Sequence, residues 1–277
     1  MNKSIAIVFG SLLWLFYSAG YSPGSQAYPR EDKLQASEHP WEISVSADSV
    51  VRKSPLIGNP EQHKRQQYIA QLHYYGERFF VDGELGYTLR NEEHMMFNLI
   101  ASPAEDYILF NDNWFNISDT PELDGLRERK FAVNGGFELL FDGNWGEGEV
   151  QLETDLTRRH KGQTLALNYG YTFTGYSWEI RPQLGLMWRS GNYVDYYYGV
   201  HDNEVRPGRP EYAGIPTWDW NFLIESRYRF AKEWYLVGIY YFERGGAGIV
   251  NSPLLDKKFY TENSIGVEWI RPFSIVR

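Results

Sequence analysis

Apolar and polar residues alternate along most of the chain from residue 41 onward. In residues 41–48 every odd position is apolar or aromatic and every even position is polar. Residues 149–155 carry acidic or amide side chains at the odd positions, and residues 218–230 alternate aromatic or aliphatic side chains with mostly polar ones. Side chains of a strand point to opposite faces in turn, so a period of two predicts strands with one apolar face and one polar face.

The segments with this alternation are each about ten residues long, as strands that cross a membrane are. Tryptophan often stands near their ends, where the aromatic girdles of a membrane barrel lie. A soluble β-sandwich also alternates, but it does not need an apolar face bordered by aromatic residues at both ends. Eleven segments are predicted from the pattern: 41–51, 66–75, 79–90, 93–101, 129–141, 148–158, 163–175, 178–190, 217–230, 234–243 and 259–271.

The number of strands is constrained because bacterial barrels generally have an even number. A further short strand at Asp106–Asn116 would give twelve, whereas omitting the first segment from the wall would give ten. We take twelve as the prediction, because residues 41–51 alternate so clearly. The sequence therefore predicts an all-β fold, a closed antiparallel transmembrane β-barrel of about 12 strands, with short periplasmic turns and longer outer loops at 191–216 and 244–258.

The N-terminus has the features of a secretory signal. Lys3 precedes an apolar stretch, Ile5–Ala19, and small residues follow up to Ala27. We predict a signal peptide at 1–27, a flexible periplasmic leader at 28–40 and an outer-membrane barrel at 41–277. Cleavage after residue 19 or 20 is an alternative. This export signal and the strand pattern together predict the outer membrane of a Gram-negative bacterium.

The composition disfavours several classes of functional site and partner. The 277 residues include no cysteine and carry a net charge of −9, which disfavours disulfides, thiolate metal sites and nucleic-acid partners. The six histidines are scattered, and His201 beside Asp202 is only a weak candidate for acid–base or metal chemistry. We therefore predict no enzyme activity, no metal and no cofactor, and outer-membrane lipid as a partner.

The polar strand face predicts a charged barrel interior. Acidic and basic side chains on neighbouring strands could pair and close the interior, or they could line a narrow channel or ligand slot that favours cations. The candidate lumen-lining residues are Glu84, Arg181, Glu225, Arg227, Arg229 and Glu268.

A tyrosine-rich loop follows the strand that ends near residue 190. Tyrosine rings with polar tips suit recognition of sugars or protein surfaces, and they equally suit packing of the loop over the barrel mouth. The outer-loop binding candidates are Tyr193, Tyr196, Tyr197 and Tyr198.

Four stretches carry a resemblance to a known family: LDGLRERK at 123–130, NYVDYYYGV at 192–200, EWYLVG at 233–238 and NSPLLDK at 251–257. From residue 41 to 273 the chain resembles the MipA/OmpV family of outer-membrane proteins. The resemblance implies a scaffold that tethers murein-remodelling enzymes, a lytic transglycosylase and a bifunctional penicillin-binding synthase, to the outer membrane. The alternative function is a narrow solute channel or a barrel that binds an antibiotic or another small ligand.

Overall fold

Thirteen strand segments make up most of the structure. The computed structural model describes residues 40–58, 63–104, 106, 121–127 and 129–274, so the predicted signal peptide and residues 28–39 lie outside the described residues. The strands are β1 (Trp41–Lys53), β2 (His63–Tyr75), β3 (Phe79–Val81), β4 (Leu85–Glu92), β5 (Met95–Ala104), β6 (Ala132–Gly143), β7 (Gly146–Asp155), β8 (Gln163–Gly170), β9 (Phe173–Thr174), β10 (Trp178–Arg189), β11 (Thr217–Ala231), β12 (Trp234–Arg244) and β13 (Phe259–Phe273).

Each strand pairs with its neighbours in an antiparallel manner, and the sheet closes on itself. β1 pairs with β2 on one side and with β13 on the other, and β10 pairs with β11. The short β9 pairs with β10 directly after β8 does, so β8 and β9 act as one strand of the wall. The prediction of a closed antiparallel barrel of about 12 strands is therefore confirmed.

The twelfth strand is not where the sequence pattern placed it. β5 pairs directly with β6, from Met95 opposite Phe141 to Ala104 opposite Ala132, which leaves no place between them for a strand at Asp106–Asn116. Residues 107–116 themselves lie outside the described residues.

Instead, the predicted strand 79–90 is two strands, β3 and β4, joined by a turn. Gly83 has a φ of 70°, and the N–H of Asp82 donates to the carbonyl oxygen of Glu84 at 3.0 Å. A residue with a side chain rarely adopts that φ, whereas glycine adopts it freely, so an Asp-Gly pair marks a tight turn. The alternation of apolar and polar residues continues across this turn, so the pattern alone does not reveal the turn.

The barrel wall has an apolar outer face and a polar inner face, the reverse of the arrangement in a soluble protein. Leu152, Leu184 and Ile265 point outward and are 50, 59 and 59 % exposed, while Glu138 and Glu262 point inward and are 0 and 2 % exposed. Apolar side chains outside and polar side chains inside suit a barrel surrounded by lipid.

The two ends of the barrel differ in their connections. Trp41 pairs with Phe273, so the start of β1 and the end of β13 lie at one end of the barrel, together with short turns such as residues 144–145 and 232–233. In outer-membrane barrels this is the periplasmic end, and the longer loops face outward. Within the described residues, those outer loops contain two short α-helices, α1 (Gly191–Tyr198) and α2 (Ala247–Val250), and two 3₁₀ helices, Pro121–Leu123 and Asp202–Glu204. No helix in the described part of the chain is long and apolar enough to cross a membrane.

Candidate functional site

The outer mouth of the barrel is covered by a packed layer of loop residues, which we call the cap. The cap is formed by residues 54–57, 121–127, 129–130, 190–216 and 245–258. Its apolar core is continuous across these segments, which are far apart in sequence, and its members are Leu56, Leu123, Tyr193, Val194, Tyr197, Tyr198, Val200, Ile249 and Leu254. Burying apolar side chains from several loops together stabilises the loops against one another.

The predicted tyrosine loop is the centre of this core and is helical, as α1. Tyr193, Tyr197 and Tyr198 are 4, 0 and 0 % exposed. The Tyr197 ring lies 4.7 Å from the Tyr193 ring and 4.9 Å from the Tyr196 ring, centroid to centroid. These three side chains are therefore packed inside the cap, and a role for them in binding stays a prediction.

Tyr196 differs from the other three candidates because it is only half-buried. Its hydroxyl oxygen accepts a hydrogen bond from the N–H of Lys130 at 2.7 Å, and the Arg127 guanidinium lies 5.7 Å from its ring centroid. Tyr196 thus ties α1 to the loop that enters β6, and a role for it in binding stays a prediction.

A buried carboxylate, Glu204, joins two outer loops. It accepts hydrogen bonds from the N–H groups of Arg127 at 2.7 Å and His201 at 2.9 Å. The buried guanidinium of Arg129 lies 3.3 Å from the same carboxylate and donates to the carbonyl oxygen of Gly199 at 3.0 Å. Charge-assisted hydrogen bonds of this kind are stronger than neutral ones, so Glu204 and Arg129 hold the two loops together.

Arg209 adds a second connection between the same loops. Its guanidinium donates to the carbonyl oxygens of Glu122 at 2.8 Å, Asp124 at 2.9 Å and Glu204 at 2.7 Å. The five N–H donors of arginine in a fixed plane allow one side chain to bind several carbonyl groups. The cap is consequently a fixed part of the fold.

The cap is expected to loosen at acidic pH. Burial alone would raise the pKa of Glu204, but hydrogen bonds from His201 and Arg127 and the charge of Arg129 lower it below its ordinary value of 4.5. Because the folded-state pKa is depressed, the stabilisation is complete above the ordinary value and is lost as pH falls through the lower one. Hydrogen-exchange protection factors of residues 121–127, corrected for intrinsic rates, should fall by up to about tenfold per pH unit in that window.

The matched control for this pH dependence is Glu204→Gln. It removes the titrating group but keeps an oxygen that can accept hydrogen bonds. Its protection factors should start lower at neutral pH and vary less between pH 5 and pH 3. Equal pH dependence in the two proteins would mean that another group, such as the buried His160, controls the loosening.

Beneath the cap, Arg189 connects three strands of the wall. Its guanidinium pairs with Asp219 and lies 3.2 Å from the carboxylate of Glu243 and 4.0 Å from that of Asp106. Asp219 also accepts a hydrogen bond from the N–H of Gly246 at 2.5 Å, at the start of α2. This buried cluster therefore fixes both the register of β10, β11 and β12 and the position of the cap above them.

Lower in the barrel, the predicted lumen residues form ion pairs. Arg227 lies 3.0 Å from Glu225 and 3.1 Å from Glu268, and Arg181 pairs with Glu147. These side chains are between 10 and 21 % exposed. The structure thus brings Glu225, Arg227 and Glu268 together, and gives Arg181 a partner that the sequence analysis did not name.

The other two lumen candidates lie apart from this group. Glu84 is in the turn between β3 and β4, and Arg229 is exposed near the periplasmic end of β11. Any role of the six candidates in binding a solute stays a prediction.

Further inward-facing acids are paired with amides or hydroxyl groups. Asn98 donates to Glu138 at 2.7 Å, Asn168 donates to Glu149 at 3.1 Å, and Ser102 donates to Glu153 at 2.5 Å. Buried polar groups are stable only when they have such partners. In the part of the chain that the structure describes, no group of three or more His, Asp or Glu side chains could hold a metal ion.

Comparison with known proteins finds a family and several individual proteins that are similar in sequence to this chain. The family model described as MltA-interacting protein MipA matches residues 52–270. This chain belongs to that family. It is 24 % identical over 259 residues to the outer membrane protein OmpV of Vibrio cholerae, covering 92 % of this chain and 94 % of OmpV. It is also 24 % identical over 200 residues to the MltA-interacting protein of Escherichia coli K12, covering 72 and 79 % of the two chains.

Family membership confirms the resemblance and the predicted outer-membrane location. The relatives are named as outer membrane proteins or as an interacting protein, not as enzymes. Among solved structures, the COG4313 outer membrane channel from Pseudomonas putida F1 covers 89 % of this chain and 100 % of its own, with a TM-score of 0.43 and 10 % identity.

Proposed function

We propose that this protein is an outer-membrane scaffold that tethers murein-remodelling enzymes, a lytic transglycosylase and a bifunctional penicillin-binding synthase. The similarity to the MltA-interacting protein supports the choice of partners. The observation that carries the proposal is the cap, which covers the outer mouth with buried apolar side chains, above an interior joined by ion pairs. Such a barrel suits an anchor better than an open pore.

The periplasmic turns are the surface that a tethered enzyme could contact. Tyr176, at the tip of the turn between β9 and β10, is 98 % exposed, and Trp145 in the turn between β6 and β7 is 52 % exposed. Exposed aromatic side chains are frequent anchors of protein–protein interfaces. Tyr75 donates its N–H to the carbonyl oxygen of Pro40 at 2.7 Å, so Pro40, the last residue of the predicted leader, lies at this end of the barrel.

Tyr176→Ser is expected to weaken enzyme binding by about tenfold or more, as loss of an aromatic anchor does. The measurement is biolayer interferometry of the refolded barrel, residues 28–277, against each purified murein enzyme of the same bacterium. Ile215→Ser is the matched control, because it removes a 51 % exposed apolar side chain from an outer loop at the opposite end.

Failure of the wild-type barrel to bind either enzyme would contradict the scaffold. Binding by the wild type that Tyr176→Ser leaves unchanged would instead exclude this turn as the contact surface.

The second candidate function is a narrow solute channel. It is favoured by the partly exposed ion pairs of Arg181, Glu225, Arg227 and Glu268, which face the interior. Planar-bilayer recordings of the refolded barrel decide between the two functions. Steady, salt-dependent conductance steps that change with Arg227→Ala would support the channel, whereas a folded but silent barrel would support the scaffold.

A further inference from the structure

The loop between β7 and β8 concentrates positive charge on an acidic protein. Residues 156–162, which we call the basic loop, read Leu-Thr-Arg-Arg-His-Lys-Gly, while the whole chain has a net charge of −9. Arg158, Arg159 and Lys161 are exposed, and so is Lys130 at the entry to the neighbouring β6. Among the described residues, none of these four side chains has a carboxylate within ion-pair distance of 4.0 Å.

The basic loop is held in one conformation by the last residue of β7. One carboxylate oxygen of Asp155 accepts hydrogen bonds from the N–H of Thr157 at 2.8 Å and from its hydroxyl at 2.7 Å. The other carboxylate oxygen accepts the N–H of Lys161 at 2.8 Å. Both carboxylate oxygens of Asp155 therefore accept hydrogen bonds from the backbone of the loop and not from the cationic side chains.

His160 anchors the basic loop from below. Its Nε2 lies 2.9 Å from Oδ1 of Asn134, and its Nδ1 accepts the N–H of Gly162 at 3.0 Å. Its ring packs 4.9 Å from that of Tyr193 in the cap. Burial lowers the pKa of His160, against the opposing charge of Asp155, which keeps the imidazole neutral with Nδ1 free to accept. The histidine points inward while its basic neighbours stay outside.

Two of the basic residues adopt a backbone conformation that disfavours side chains. Arg158 has a φ of 58° and Lys161 a φ of 51°. Left-handed φ values are uncommon for residues other than glycine, asparagine and aspartate, and persist where surrounding contacts enforce them. Here the hydrogen bonds to Asp155 hold the turn in this conformation. Basic residues therefore stand at positions where glycine would be less strained.

The basic loop begins where the lipid-facing wall ends. Leu152 and Leu156 continue the outward face of β7 and are 50 and 59 % exposed. Thr157 follows, and its hydroxyl oxygen accepts the N–H of Val133 on β6 at 3.3 Å. Within two residues of Leu156 the surface thus changes from apolar to cationic, as the outer leaflet changes from acyl chains to headgroups.

We propose that the basic loop and Lys130 bind the phosphate groups of an anionic glycolipid in the outer leaflet of the outer membrane. One arginine guanidinium can donate two parallel hydrogen bonds to two oxygens of a phosphate, and a lysine ammonium adds a positive point charge. Cations at a membrane surface attract anionic lipid over short distances. Leu152 and Leu156 contact the acyl chains of the same lipid.

The test uses the refolded barrel, residues 28–277, in detergent micelles, titrated with bisphosphorylated lipid A and followed by native mass spectrometry. Wild-type protein should bind this lipid at least about tenfold more tightly than lipid A without phosphates. Arg158→Gln with Arg159→Gln should weaken binding by about tenfold to thirtyfold, the effect expected for two basic residues at an anionic surface.

The matched control is Lys257→Gln with Lys258→Gln, which removes the same charge from the outer loop between β12 and β13. It should bind like the wild type, and heat-modified gel mobility should show that both variants are folded. Equal losses in the two variants, or equal affinity for the lipid without phosphates, would overturn the proposal. Displacement of the lipid by an equal concentration of inorganic phosphate would reduce the loop to an anion site and also overturn it.

Discussion

Replacing Arg189 with methionine is expected to lower the free energy of unfolding by about 3–5 kcal/mol, the usual cost of removing one partner from a buried ion pair. Arg189 is 7 % exposed and lies among three carboxylates, of Asp219, Glu243 and Asp106. Without the guanidinium, these buried acids lose the positive charge that they share. Methionine keeps the length of the side chain, so the loss reflects charge more than volume.

Urea unfolding of the refolded barrel, followed by tryptophan fluorescence, measures this effect. Arg229→Met is the control, because Arg229 is exposed near the periplasmic end of the neighbouring strand, and its unfolding midpoint should stay at the wild-type value. Combining Arg189→Met with Asp219→Asn and Glu243→Gln should restore part of the lost stability, since the unpaired charges are then gone. An Arg189→Met barrel as stable as the wild type would mean that the cluster does not hold the strands together.

Tyr197→Ala is expected to destabilise the cap by about 3–5 kcal/mol, the range measured for truncating a fully buried aromatic side chain. Tyr197 is 0 % exposed and contacts the rings of Tyr193, Tyr196 and His160. Its loss leaves a cavity between α1 and the loops around it. The strands of the wall are held by their own backbone pairing, so we expect the outer loops to open while the strands stay folded.

Limited proteolysis from the outer side should therefore cut residues 190–216 of Tyr197→Ala much faster than those of the wild type. Tyr176→Ala is the control, since Tyr176 is 98 % exposed at the other end of the barrel. Planar-bilayer recordings of the same variant then report on the cap: conductance in Tyr197→Ala but not in the wild type would show that the cap closes an otherwise open lumen. Unchanged proteolysis would contradict the importance of this packing.

The strand pattern could be predicted from the sequence because lipid outside and polar side chains inside impose a period of two. The same period predicted that Arg181, Glu225, Arg227 and Glu268 point inward. It did not predict their partners. Arg181 stands directly opposite Glu225 in the register of β10 and β11, yet it pairs with Glu147 on β7.

The number of strands was predicted correctly, although the twelfth strand was misplaced. Alternation runs unbroken through 79–90, so the Asp82-Gly83 turn could be recognised only from its glycine. A strand at Asp106–Asn116 supplied the same count, but β5 and β6 pair directly. The expectation of an even number of strands predicts that a twelfth strand exists, but it does not say which segment forms it.

The cap was the part that the sequence left most open. Loops have no repeating period, and the contacts that build the cap join distant residues: Glu204 and Arg129 are 75 positions apart, and Tyr198 and Ser252 are 54 apart. The sequence identified the tyrosine cluster but left both ligand recognition and packing open, and only the structure shows that three of its four rings are buried in the cap.

The sequence by itself thus determined the fold class, the membrane location and, outside turns and register shifts, the face on which strand residues lie. These properties follow from the alternation of side chains in a wall with lipid on one side and a polar interior on the other. Only the tertiary structure decided which charges pair, that the outer loops form a cap, and that Arg158, Arg159 and Lys161 stay exposed around a buried His160. Those features depend on register, tilt and loop packing, which bring together groups that no local pattern connects.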